Sequence, residues 1–224
     1  MRTETPTDTR TGQARAGSVE RFVRPAAILF ARRDSVYKSI AGCDVWDIDR
    51  DARGFAGGMP VVAHPPCRAW GRLTHFAKPS EGEKELAPWA VEKVRECGGV
   101  LEHPASSGLW RVCGLPIGAA RDSFGGFTLS VDQHWWGHRA NKETWLYVCG
   151  LARMDVPQYP IRIDEGTHCI MCDRRGFSRN RWKATLPKRE REETPKAFAE
   201  WLVELARLSR PNACVSDGAN NQNV

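Results

Sequence analysis

The stretch Val61-Val62-Ala63-His64-Pro65-Pro66-Cys67-Arg68-Ala69-Trp70-Gly71 constrains this chain more than any other. Two β-branched residues and an alanine read as the end of a buried strand. Two prolines then exclude both a helix and a central-strand ladder, so the chain must turn. The turn presents one thiol, Cys67, at the mouth of the strand, which is where open α/β sheets bind ligands. The proline rings stiffen the backbone and hold the sulfur at little entropic cost. A cysteine after a turn is more often a buried structural residue than a reactive one. Here the rigid turn, the strand end and the neighbouring Arg68 favour chemistry, with Cys67 attacking an electrophilic carbon.

Val100-Leu101-Glu102-His103-Pro104 repeats the device: apolar strand, polar residue, proline turn. A helix over 83–97 is predicted between the two. Ser80 and Glu83 form a capping-box pattern, Leu86, Ala90 and Val94 share one face, and Gly98-Gly99 stops the helix. Such a β-α-β connection makes the two strands parallel and close. It delivers Glu102 to the same edge as Cys67.

The remaining pattern extends this α/β reading. Ala26 to Phe30 predicts a first strand, 31–40 a short helix ended by Gly42, and Asp44 to Asp49 a second strand. A carboxylate after the second strand commonly accepts hydrogen bonds from a ribose, which makes Asp47 and Asp49 candidates; the plainer reading is two loop acids. Phe127 to Asp132 and Thr144 to Cys149 predict two more strands, joined by a polar-aromatic turn. Arg139 and Lys142 in that turn could serve a phosphate or a base, or be solvated hairpin charges. Thr194 as N-cap and Pro195 at the first position start a helix whose Phe198, Trp201, Leu202 and Leu205 form a core-facing stripe. His168, Cys169 and Cys172 amount to half a zinc site, and no second pair stands at finger or ribbon spacing, so no metal is expected.

Composition decides the partners. The 224 residues are 41% hydrophobic with nine tryptophans, enough for a sizeable core. No apolar run reaches membrane-spanning length and no apolar signal core opens the chain, so a cytoplasmic protein with no membrane partner is expected. Eight scattered cysteines then read as reduced thiols. The net charge of +6 is concentrated: Arg174, Arg175, Arg179, Arg181, Lys183, Lys188, Arg189 and Arg191 stand against one acid, Glu190. That is the footprint of phosphate-backbone binding, although a solubilising loop has the same look. The expected organisation is a disordered tail (1–18), an α/β catalytic core (19–150), a small basic recognition insert (151–191), a helix packing on the core (192–210) and a loose tail (211–224).

Taken together, these pieces resemble the DNA cytosine-5 methyltransferase family. That family has a Pro-Pro-Cys turn, a strand ending in Glu-Asn-Val, and an Arg-rich turn leading into an apolar strand that ends in Gly. The matching stretches are Pro65-Pro66-Cys67, Val100 to Pro104 and Gly137 to Gly150, in the same order. The likeness spans about 26–150 and 193–208. Where the family has a glycine-rich Phe-x-Gly-x-Gly loop, this chain has Phe30-Ala31-Arg32-Arg33-Asp34-Ser35. The chain looks like a compact, divergent relative of the phage-encoded kind.

The resemblance implies a Rossmann-like, mostly parallel sheet with helices on both faces and S-adenosylmethionine as cofactor. It implies DNA as partner and thiolate addition to carbon 6 of a cytosine, followed by one-carbon transfer to carbon 5. Cys67, Glu102, Arg139 and Lys142 would be the catalytic set. Phe30, Asp47, Asp49 and Pro65 would meet the cofactor. Arg68, Arg174, Arg175, Arg179, Arg181 and Lys183 would meet DNA, and Arg68 could also raise the thiolate fraction of Cys67. Two alternatives use the same features. One is an enzyme modifying carbon 5 of free pyrimidine nucleotides, by chemistry like that of thymidylate synthases and hydroxymethylases. The other is an inactive DNA-binding relative with an anti-restriction or regulatory role.

Overall fold

Successive residues of a strand face opposite sides of its sheet, and a parallel strand is buried on both. The computed structural model, which describes residues 23–71, 74, 77–170 and 182–211, shows this in its central strands. β1 (Ala26–Ala31), β2 (Cys43–Asp47), β3 (Val61–Ala63) and β4 (Gly99–Pro104) are mutually parallel. β5 (Phe127–Asp132) and β6 (Glu143–Cys149) form a hairpin whose second strand pairs antiparallel with β4. The sheet order is β2-β1-β3-β4-β6-β5, so β6 alone runs against the others. The protein is therefore α/β, with a mostly parallel six-stranded mixed sheet.

Helix α1 (Leu86–Cys97) covers one face, packing Ala87, Ala90, Val91 and Val94 with Ala27, Leu29, Ala63 and Leu101. Beyond β4 lies the single-turn α2 (Leu109–Val112). The insert holds a two-stranded parallel ribbon, β7 (His168–Cys169) with β8 (Ala184–Thr185), then the short α3 (Lys188–Glu192). α4 (Lys196–Leu208) covers the other face of the sheet, with Phe198, Leu202 and Leu205 fully buried against Ile28, Val62, Val100 and Leu146. Each of those three side chains contributes roughly 1.5–3 kcal/mol by leaving water. Among the described residues no helix is long and apolar enough to cross a membrane.

Several local expectations need correction. Residues 31–40 make only a 3-10 turn over Val36–Ser39, which Ser35 caps through the Tyr37 N–H. α1 starts at Leu86 rather than 83, so Pro88 falls in its first turn, where no N–H is needed. Glu83 still reaches back to the Ser80 N–H at 3.2 Å. Pro195, not Thr194, holds the cap position of α4; it is extended and its carbonyl receives Ala199 N–H. Cys169 is disulfide-bonded, against the expectation of reduced thiols throughout; Cys43, Cys67, Cys97, Cys113 and Cys149 carry no disulfide. The tails 1–22 and 212–224 lie outside the described residues.

β6 ends against the chain that leaves α4. Gly150 has φ +80, and a Cβ there would run into the Arg210 carbonyl, which is backbone and cannot rotate away. Gly118 has a similar φ of +69 with open space around it. Gly118→Ala should cost about 1 kcal/mol from the backbone alone, and Gly150→Ala about 3 kcal/mol or more once the clash is added. Urea denaturation of both variants checks this; equal losses would mean that the Gly150–Arg210 approach is not close.

Candidate active site

The carboxyl edge of the parallel strands is built from residues that the sheet register places side by side. Ala63 lies opposite Leu101, so the next residues, His64 and Glu102, are neighbours. His64 N–H extends the ladder to the Leu29 carbonyl at 3.0 Å, and only then do Pro65 and Pro66 turn the chain out to Cys67. The Cys67 carbonyl accepts the N–H groups of Trp70 and Gly71, both at 3.0 Å, which fixes the turn behind the sulfur.

Glu102 is held from two sides. His64 Nδ1 lies 3.0 Å from Oε2, and Gln133 Nε2 donates to Oε1 at 3.1 Å. Gln133, fully buried, also donates to Thr144 Oγ1 at 3.1 Å. Behind His64, the Tyr37 hydroxyl lies 2.8 Å from Nε2. A neutral His64 protonated on Nδ1 donates to Glu102 and accepts from Tyr37, while a doubly protonated ring donates to both. Tyr37, His64 and Gln133 escaped the sequence reading. The one available signal was register, because a residue just before the proline turn must sit beside its counterpart on the next strand.

Charge sets the chemistry of this edge. Burial pushes the Glu102 pKa up, but the hydrogen bond and charge of His64, with the Lys142 ammonium, outweigh it and hold the carboxyl at about 2. Partial withdrawal from water and then the Glu102 carboxylate raise the Cys67 thiol above its ordinary value, while Lys142 pulls the other way. Burial lowers Lys142, opposed by Glu102, Cys67 and Glu192. Lys142 Nζ donates to the Glu193 carbonyl at 3.3 Å, so the end of α3 closes over the same cleft. The arrangement offers a surface thiol, an ionised hydrogen-bond acceptor and an ammonium. It suits attack on an electrophilic carbon of a ring that presents N–H donors and a carbonyl.

The other expected residues are distributed differently. Arg139 points to the insert, donating to Glu190 Oε2 at 2.9 Å and approaching His168 Nε2 at 2.7 Å. Arg68 is paired with Glu83, Nε to Oε1 at 2.9 Å. Arg68 is electrostatically coupled to Cys67, but burial and the Glu102 carboxylate outweigh the nearby cations and leave the thiol shifted up. Phe30, inside β1 where the register with β2 shifts, has φ 62 and meets Trp89 edge-on at 5.8 Å. Asp47 accepts from Lys38 at 2.7 Å and from the Asp49 N–H, whereas Asp49 is exposed and paired with Arg33. Pro65 is buried beneath the turn.

Lys183 is a correction. It is 4% exposed and donates to Glu165 at 2.8 Å, so it cannot reach a DNA backbone. Arg174, Arg175, Arg179, Arg181 and Cys172 lie outside the described residues. His168 is engaged by Arg139 and Thr167, and Cys169 by its disulfide. Among the described residues no group of three or more His, Cys, Asp or Glu could hold a metal ion. Two open depressions among the described residues, of about 490 and 400 Å³, lie away from this edge; one is lined by Arg153, Pro157 and Tyr159, the other by Arg121, Leu151 and Arg210. No family model matches the chain, and a search of curated proteins found no match.

His103, next to Glu102, is fully buried, and its ring has at most a weak contact with the Pro66 backbone. Burial lowers its pKa from 6.5 to about 4. A depressed folded-state pKa gives stability that is present above the unfolded value and lost as pH falls towards the folded one. Stability should therefore drop by up to about 3 kcal/mol between pH 6.5 and 4, above the window in which Glu102 titrates. His103→Leu should flatten that slope in urea denaturation at stepped pH. An unchanged slope would show that other groups carry the acid sensitivity.

Proposed function

We propose that the protein is an enzyme of the DNA cytosine-5 methyltransferase type, in which Cys67 adds to carbon 6 of a pyrimidine and carbon 5 receives a one-carbon group. One observation carries this reading: an ionised Glu102, clamped by His64 and Gln133, stands within electrostatic reach of a thiol on the neighbouring strand end. Carbon 5 of a pyrimidine is a poor nucleophile, and sulfur addition at carbon 6 makes it enamine-like. The Cys67 proton must leave first, to solvent, and does so more readily as pH rises. Glu102 accepts the N–H groups of the ring edge. The Lys142 ammonium steadies the thiolate and faces the base carbonyl.

By the same reading the methyl donor is S-adenosylmethionine, and the β1–β2 edge fits it. Phe30 adopts a positive φ (62), the backbone region that favours glycine, and with Trp89 it forms an aromatic wall for an adenine. Asp49 could exchange its exposed Arg33 partner for ribose hydroxyls, because water and salt screen such a surface pair. Asp47, already engaged, supports the loop, and Pro65 fixes the turn beside it. S-adenosylmethionine, when bound, supplies an electrophilic methyl group. Isothermal titration should give saturable binding that Asp49→Ala weakens about tenfold by loss of a charge-assisted hydrogen bond. No binding at millimolar ligand would point to another donor.

DNA as the substrate rests on the basic segment, whose described part includes the exposed Lys188 and Arg189 on α3. Duplex DNA would have to release the base from its stack, at a cost of a few kcal/mol. A donor-free assay isolates the step assigned to Cys67. Addition at carbon 6 lets carbon 5 take a proton from water, so the reversed reaction washes tritium out of 5-position-labelled cytosine. DNA should release label with wild type and none with Cys67→Ala, while Glu102→Gln should lose about 10²-fold or more. Release only from the free labelled nucleotide would favour the nucleotide-level enzyme. DNA binding with no release from either would favour the inactive relative.

A further inference from the structure

An ionised Glu102 suits some pyrimidines better than others. Uracil carries a hydrogen on ring nitrogen 3 and can donate it to the carboxylate. Cytosine has a bare nitrogen 3, which becomes basic as sulfur adds to carbon 6 and must then receive a proton. Glu102, held ionised by its donors, has none of its own to give.

We propose that His64 is the proton source for that step, relaying through Glu102, and that the Tyr37–His64–Glu102 chain specialises the site for cytosine. This rests on the reading above that Cys67 adds to a pyrimidine. The chain is continuous: Tyr37 hydroxyl to His64 Nε2 at 2.8 Å, and His64 Nδ1 to Glu102 Oε2 at 3.0 Å. Gln133 occupies the other carboxylate oxygen at 3.1 Å, so Oε2 is the oxygen that exchanges a proton with His64. Tyr37 suits both states of the ring, since a hydroxyl accepts from Nε2–H when His64 is charged and donates to Nε2 when it is neutral and protonated on Nδ1. The Tyr37 side chain is fully buried and His64 is 13% exposed, so the relay is shielded but not sealed from water.

The step balances. The Cys67 sulfur forms a bond to carbon 6. The carbon 5–carbon 6 π pair moves to carbon 5–carbon 4, and the carbon 4–nitrogen 3 π pair moves onto nitrogen 3. Nitrogen 3 takes a proton from Glu102, which takes one from His64 Nδ1. His64 is left neutral, its Nε2–H donating to Tyr37. Elimination of the thiolate returns each proton by the same path. His64 faces Tyr37 from the turn after β1 and Glu102 from β4; through Glu102 it is coupled to His103 on β4 and to Lys142 before β6, and Cys67 completes the charged set.

The test compares tritium release from 5-labelled cytosine and 5-labelled uracil in otherwise identical DNA. Uracil needs no relayed proton, so it reports folding and Cys67 chemistry alone. In wild type the cytosine-to-uracil ratio should fall as pH rises and the relayed proton becomes scarcer. His64→Asn keeps an N–H donor to Glu102 but has no ring proton to relay. It should lower cytosine release about a hundredfold, leave uracil release within a few-fold, and make the ratio independent of pH. A wild-type ratio that does not change with pH, or a His64→Asn ratio equal to wild type, would overturn the relay while leaving the addition chemistry standing. No release from either base in wild type would overturn the addition chemistry itself.

Discussion

The hydrogen bond between His64 Nδ1 and Glu102 Oε2 is the contact on which the site depends. A carboxylate withdrawn from water costs several kcal/mol unless it is hydrogen-bonded and paired. Glu102 meets that cost with two donors and a nearby ammonium, and so remains ionised where burial alone would have neutralised it. Its retained charge raises the thiol of Cys67 and opposes the fall in the Lys142 pKa. One ionised group therefore tunes both the nucleophile and the cation of the cleft.

The sheet supplies these parts because of its strand directions. Parallel strands β1, β3 and β4 bring the turn that carries Tyr37, then His64 with Cys67, then Glu102, to a common edge. β5 ends at that edge and hands on Gln133. β6, running the other way, starts there, so Lys142 just before it arrives as well. The single antiparallel strand is thus what lets the 133–142 turn face the proline turn. α3 closes the mouth through Lys142 and Arg139 and through Arg32, which lies 3.3 Å from Glu192.

Local pattern was enough for part of this. The β-α-β unit around α1 was legible because proline turns, capping residues and apolar periodicity all act over a few positions. It carried Cys67 and Glu102 to one edge. The partners of Glu102 were not legible, since His64 is 38 residues and Gln133 31 residues away from it in sequence, and no periodicity marks a hydrogen bond across strands. Lys183 reads as one more cation in a basic run, and only the fold reveals that Glu165 draws it inside. Phe30 takes a positive φ where sequence offers no glycine, so the break in the β1–β2 register there was invisible to residue propensity.

The central claim is that Glu102 and Cys67 share one electrostatic environment. The pH dependence of Cys67 alkylation by iodoacetamide, followed on the Cys67 peptide by mass spectrometry, measures it directly. If the claim holds, Glu102→Gln, which removes the charge that raises the thiol, shifts the midpoint of alkylation to lower pH. An unchanged midpoint in a folded Glu102→Gln variant would contradict it.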